Sequence, residues 1–298
     1  MISEKVVRFG AAGLVGILSE GEGDAVASRP AFLILNAGVL HRAGPARMHV
    51  ALARKLAGAG FTALRFDFSG IGDSEARKDA VPFDDRVVLE VREAMDFLAR
   101  TRGIDRFVLF GLCSGADAAF AVARGDRRVV GHVSLDGFAY RTFGYYVHHY
   151  APRLLRFRSW LGFAARQARS LGRAVNGGGN GNGTGSAARR PVMFTRSFPS
   201  RDEAAAELAA LAARGVRQFF IYSAGHGRWF NHAGQFDRMF RHVYFNGGLT
   251  VRYFDQADHT FPDLRQQDAL TSAVRAWASR NWPGADAPGP LSFLAPAA

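Results

Sequence analysis

The residues that could do chemistry converge on one short run, FVLFGLCSGADAAFAVA, at 107–123. An apolar stretch leads into Gly111-Leu112-Cys113-Ser114-Gly115, and helical spacing begins at once. A G-x-C-x-G between a strand and a helix is the pattern of a nucleophile elbow. The reactive residue sits in a tight turn, and the two glycines leave room for the backbone to fold back on itself. A thiol held at a helix N-terminus gains from the aligned peptide dipoles, which favour the thiolate and lower its pKa below the unperturbed ~8.5. The backbone N–H of Ser114 would point to where an oxyanion forms. The chemistry implied is attack of sulfur on a carbonyl. Ser114 is out of register with the flanking glycines as a rival nucleophile, and the plainer alternative for Cys113 is a small buried residue after a strand.

The elements around this run follow from periodicity. Val6–Phe9 and Leu14–Leu18 read as short strands with Gly10 and Gly13 at the turn, and Ala31–Leu35 as a buried strand. Helical spacing covers 46–59, ended by Gly58 and Gly60; Phe61–Phe66 is the next strand. An amphipathic helix over 84–100, a strand Arg106–Gly111, a helix over 114–124 and a strand Val129–Leu135 continue the alternation. It resumes later with a helix at 202–213, a strand Val216–Ser223, a helix near 232–242, a strand Leu249–Phe254 and a helix at 266–280. Strand–helix alternation at this tempo means βαβ units and a mostly parallel sheet. It is broken over 138–186 by an aromatic, basic stretch and then NGGGNGNGTGS at 176–186, a flexible low-complexity segment. This assigns 1–137 and 187–283 to one core, 138–186 to an insertion, and 284–298 to a frayed tail.

Composition bounds the rest. Hydrophobic residues are 48% and charged residues 21% of 298, which is globular and excludes disorder over most of the length. One cysteine excludes a disulfide framework and any cysteine-based zinc cluster. No apolar run is long enough for a membrane-spanning helix, and the N-terminal residues do not read as a secretory signal, so a reducing cytoplasm is expected. The formal charge is 38 − 26 = +12, and only Lys5, Lys55 and Lys78 of the cations are lysine. Arginines spread along the whole chain fit arginine-rich codon usage, or a surface that attracts acidic partners. No helix-turn-helix or RNA-binding motif is present, so nucleic acid is not an expected partner.

Three stretches together resemble the α/β-hydrolase superfamily over about residues 30–280: RFDFSGIGDS at 65–74, GLCSGA at the elbow, and ADHTF at 257–261 after the last strand. The elbow carries cysteine where most members carry serine. In this it is similar to dienelactone hydrolases, polyhydroxyalkanoate synthases and acyl-shuttling enzymes, beside the serine-aminopeptidase and thioesterase-like hydrolases. The resemblance implies an α/β-hydrolase fold, a mostly parallel sheet flanked by helices, with an inserted helical lid. It also implies His259 as general base, 259 − 113 = 146 residues after the nucleophile. The second oxyanion donor would come from Asn36-Ala37-Gly38-Val39, with Gly38 or Val39 as the amide. Asp67 and Asp73 match structural positions that brace loops.

The acid is the open point. The family usually places it after the strand that here reads QFFIYS, but AGHGRWF follows without a carboxylate, and His226 lies where the acid is expected. Some members carry it one strand earlier, where VVGHVSL ends directly in Asp136-Gly137. Asp136 is therefore the expected orienting acid, against the alternative of an ordinary Asp-Gly turn. Asp255, Asp258 or a bare Cys–His dyad remain open, since a thiol needs less help than a hydroxyl. Tyr145, Tyr146, His226 and Trp229 could line a pocket. In the insertion, Phe143, Tyr150, Phe157, Trp160 and Phe163 could shape an acyl site, and Arg153, Arg156, Arg158, Arg166, Arg169 and Arg173 could face an anionic partner. No cofactor or metal is implied. The function expected is hydrolysis of an ester or thioester through a Cys-linked acyl-enzyme. The alternatives are acyl or aminoacyl transfer between carrier-protein thiols, or onto an amine or alcohol, with an acidic acyl carrier protein as partner, and a non-catalytic binding scaffold.

Overall fold

The computed structural model describes residues 1–21, 29–79, 81–155, 196 and 198–284. The Gly/Asn run at 176–186, the aromatics Phe157, Trp160 and Phe163, the side chains of the insertion's arginines from 153 to 173, and residues 285–298 of the tail lie outside that description.

Eight strands form one sheet: β1 (Ile2–Phe9), β2 (Leu14–Gly21), β3 (Ala31–Ile34), β4 (Ala63–Phe66), β5 (Phe107–Leu112), β6 (Val129–Leu135), β7 (Arg217–Ser223) and β8 (Leu249–Phe254). Their spatial order is β1-β2-β4-β3-β5-β6-β7-β8. β1 and β2 form an antiparallel hairpin and β2 joins β4 antiparallel, whereas every pairing from β4 to β8 is parallel. Strands before and after the insertion thus share one sheet, with β5 near its centre.

Strands β3 to β7 are buried on both faces, as a doubly covered parallel sheet requires. Leu109 of β5 faces one core with Val91, Leu98 and Phe120, while Val108 and Phe110 face the other with Leu52, Leu56 and Trp277. The first face is covered by α2 (Phe83–Arg102), α3 (Ser114–Gly125), α5 (Arg201–Ala213) and α6 (Gln235–Phe240), the second by α1 (Met48–Gly58) and α7 (Leu264–Asn281). A further helix, α4 (Phe143–Leu155), opens the insertion. Two boundaries differ from the sequence pattern for local reasons. The Phe61 N–H bonds back to Leu56 O, with Gly60 at φ 82° and its N–H on Ala57 O. Phe61 therefore belongs to the closing turn of α1, and β4 starts two residues later. α6 is one short stretch, because Val243 N bonds back to Phe240 O as the chain turns toward β8. Among the described residues no helix is long and apolar enough to cross a membrane.

Candidate active site

Cys113 joins β5 to α3 with φ 58° and ψ −120°. A non-glycine residue there stores roughly 1–3 kcal/mol of strain, which the surroundings must enforce. Backbone crowding does so. A Cβ on Gly111 would meet the Gly115 carbonyl oxygen at 2.0 Å, and one on Gly115 would meet Asn36 O at 2.5 Å. The Cys113 N–H donates to Leu135 O at 2.9 Å, which ties the elbow to the end of β6, where Asp136 follows.

Asp136 is fully buried and has φ 49°. Its Oδ1 accepts from the Ser223 N–H at 2.7 Å, and its Oδ2 accepts from the Ser223 hydroxyl at 2.6 Å. Oδ2 also meets His259 Nδ1 at 2.7 Å. The turn after β7 therefore positions the carboxylate rather than supplying one. Asp258 accepts from the backbone N–H of His259, not from its ring, and Asp255 is exposed. Of the three carboxylates weighed from sequence, Asp136 is the one on the imidazole.

His259 rides on a tight loop between β8 and α7. Phe261 is sealed in the core against Phe254, and its N–H bonds to Asp258 O. Asp263 caps α7 through the N–H groups of Arg265 and Gln266. From the other side Gly225 presses backbone to backbone; a Cβ there would meet His259 N at 2.1 Å. With Nδ1 on Asp136, the far side of the ring hydrogen-bonds Cys113. The bond to Asp136 first, and then the bond to Cys113, push the His259 pKa up to about 10. Burial pushes the Cys113 thiol up. The His259 hydrogen bond, the Arg196 charge and the Ser114 N–H outweigh that, and the net direction is down. Both shifts favour the thiolate–imidazolium form of the pair over the neutral one.

The oxyanion side differs from the sequence expectation. The Gly38 N–H is not free: it donates to Ser114 Oγ at 2.8 Å. It can reach an oxyanion only if that hydroxyl turns away. Val39 is 66% exposed, at the rim of the loop. Asn36 holds the loop, accepting from the Phe68 N–H and donating to Leu40 O and Asp67 Oδ1. Asp67 and Asp73 both pair with Arg42, so they brace this loop.

The four residues proposed for a pocket divide. Tyr145 is buried, and its hydroxyl donates to the carbonyls of Gly227 and Arg228, so it fastens α4 to the turn after β7. Tyr146 is 44% exposed and stacks on Tyr150. Trp229 lies edge-on to Phe198 beneath the Arg141 guanidinium. His226 is buried and its ring lies nearly parallel to His259, centroids 6.1 Å apart; burial lowers its pKa to about 4, so it is a neutral neighbour of the base. The ligating atoms of Asp136, His226 and His259 lie within 4.8 Å of one another. Asp136 Oδ2 is, however, already shared by His259 and Ser223, and a guanidinium stands on the Asp136 carbonyl. These groups fit a hydrogen-bonded relay better than a cation cage.

That guanidinium belongs to Arg196, which no sequence pattern signalled. Its Nε and Nη2 donate a pair of hydrogen bonds to the two Asp117 carboxylate oxygens at 2.6 and 2.7 Å. Its Nη1 donates to Asp136 O at 3.1 Å and lies 3.6 Å from Cys113 Sγ.

No family model and no curated protein matches the chain. Solved structures do. An esterase from Pyrococcus furiosus is 14% identical and superposes with a TM-score of 0.57 over 94% of this chain and 92% of its own. A member of the α/β serine hydrolases without a lid, from Xanthomonas campestris, is 15% identical (TM-score 0.51, 96% and 97%). An epoxide hydrolase from Vigna radiata is 14% identical (TM-score 0.52, 94% and 98%). At these identities the likeness is one of architecture: the chain has the α/β-hydrolase fold.

Proposed function

We propose that the protein is an acyl hydrolase that acts on an ester or thioester through a Cys113-linked acyl-enzyme. The observation that carries this reading is the unbroken relay Asp136–His259–Cys113, with the sulfur held at a strained elbow between a central strand and a helix. In the first step the Cys113 thiolate forms an Sγ–C bond to the carbonyl carbon, and the carbonyl π-pair moves to oxygen. The Ser114 N–H, and the Gly38 N–H once released from the Ser114 hydroxyl, receive the oxyanion. The C–O or C–S bond to the leaving group then breaks, and the His259 imidazolium hands that group its proton. Water gives a proton to His259 as it attacks the thioester, and the Sγ–C bond breaks to return the thiolate. Asp136 holds the ring's tautomer and stabilises its charged form.

The hydrolase architecture of the structural neighbours supports a reaction of this type. Against a non-catalytic binding scaffold speaks the contact of Asp136 with His259, which supplies a carboxylate where the turn after QFFIYS has none. Thiolate chemistry favours thioesters, because entering and leaving groups are alike in energy. The test offers the protein a panel of simple esters and acyl-pantetheine thioesters and follows acid release and intact mass. An acyl adduct on Cys113 that discharges to water, absent in Cys113→Ala, is expected. Discharge to a carrier-protein thiol or an amine faster than to water would move the reading to acyl transfer. No adduct and no turnover with any acyl donor would overturn it.

A further inference from the structure

We propose that Arg196 is the residue that holds Cys113 as a thiolate: a guanidinium locked in place by its neighbours, with Nη1 shared between the Asp136 carbonyl and the sulfur. The inference rests on the reading of Cys113 as the nucleophile and adds a residue to it. Arg196 is locked on three sides. Asp117 takes its Nε and Nη2, the edge turned away from the sulfur. The Phe198 ring lies under the guanidinium at 4.7 Å. The Asp136 carbonyl takes Nη1. Asp117 is fixed in the same frame as the nucleophile, since it lies in the first turn of α3 and its N–H reaches Cys113 O. Little freedom remains, so a charge–sulfur contact at 3.6 Å needs little reordering at the moment of reaction.

The direction of approach assigns its role. β5 lies between β3 and β6. The Gly38 loop follows β3, whereas Arg196 reaches Sγ from the carbonyl of Asp136, at the end of β6. Arg196 therefore acts on the sulfur and leaves the opposite side to the backbone amides. A thiol half-buried in this site would, by burial alone, be harder to ionise than a free one, and burial is the largest single influence on it. The imidazolium offsets part of that, and the guanidinium, which cannot deprotonate in the working range, supplies a charge that does not titrate. The titratable and charged groups about the sulfur are His259, Arg196, Asp117 and Asp136, with His226 behind His259.

The chain has one cysteine, so the rate of iodoacetamide alkylation against pH reports on this atom alone. Arg196→Gln is expected to raise the midpoint by a unit or more, about a tenfold loss of rate at acidic pH. Arg196→Lys, which keeps the charge, restores most of it. An unchanged midpoint in Arg196→Gln would overturn the inference. A wild-type midpoint at the free-thiol value of ~8.5 would instead sink the activated-nucleophile reading itself. Should the Arg196 variants not fold, His259→Ala decides: a midpoint still below the free-thiol value is expected, and one at or above it means that the guanidinium does not hold the thiolate against burial, which overturns the inference.

Discussion

Asp136 is the residue on which the relay turns, and its setting makes its role separable from packing. Both carboxylate oxygens accept from Ser223, and only Oδ2 also serves the ring of His259. Asp136→Asn keeps the volume and one carbonyl oxygen but puts an amide donor where an acceptor is needed. With the ring in the wrong tautomer, kcat/KM is expected to fall by up to about 10⁴, the loss the same substitution gives in a Ser-His-Asp triad. The substitution also removes the largest cause of the raised His259 pKa, so the high-pH limb of the rate profile that His259 sets is expected to move down. Both are read in one pH–rate series. An Asp136→Asn profile that superposes on the wild type would mean that Cys113 and His259 work as a dyad.

At the scale of elements, the site is assembled where connections at one end of the sheet touch through backbone. The turn after β7 meets the loop after β8 at Gly225, with space for no side chain beyond hydrogen. Gly225→Ala must push the His259 loop aside, at a cost of roughly 1–3 kcal/mol for overpacking, and it is expected to lower kcat more than KM. Asp263→Ala removes the cap of α7 and should cost about 1 kcal/mol of stability, read by urea denaturation, with little effect on kcat. These contacts also explain what the sequence could and could not show. The elbow was legible because its constraint is local: two glycines, a strand before and a helix after. The parallel core was legible in its apolar runs, and the β1–β2 hairpin in Gly10 and Gly13. The acid was legible only as a choice among three, because what selects Asp136 is Ser223, a neighbour across the β6–β7 pairing. The engagement of Gly38 by the Ser114 hydroxyl joins residues 76 apart, and Arg196 lies 83 residues from Cys113. Neither has any pattern in the residues around it.

The whole molecule carries a pH dependence that is separate from catalysis. His49 on α1 packs edge-on against Phe110 on one side of the sheet, and His132 on β6 lies between Phe120 and Phe220 on the other. Both are fully buried, and desolvation lowers each pKa to about 4; His226 beside the site is lowered to about 4 as well. Between about 4 and the unfolded value near 6.5, the unfolded chain takes up protons on these rings and the folded one does not. Stability therefore falls as pH drops through that window and levels off below it. The Cys113–His259 pair acts in two opposed directions: the lowered thiol pKa releases a proton on folding and the raised imidazole pKa takes one up, so their slopes offset each other until the unfolded thiol ionises at ~8.5. Above the unfolded value near 6.5, the raised His259 pKa taken alone gives up stability as pH rises; the lowered Cys113 pKa offsets this up to ~8.5, and from there to about 10 the loss is uncompensated. A stability optimum near neutrality with an acid limb between 6.5 and 4 is thus expected in urea denaturation at graded pH. His132→Phe, which places a third ring between Phe120 and Phe220, should flatten that limb by one proton's worth of slope while leaving the pH–rate profile unchanged. An acid limb as steep in the variant as in the wild type would mean that His132 does not carry it.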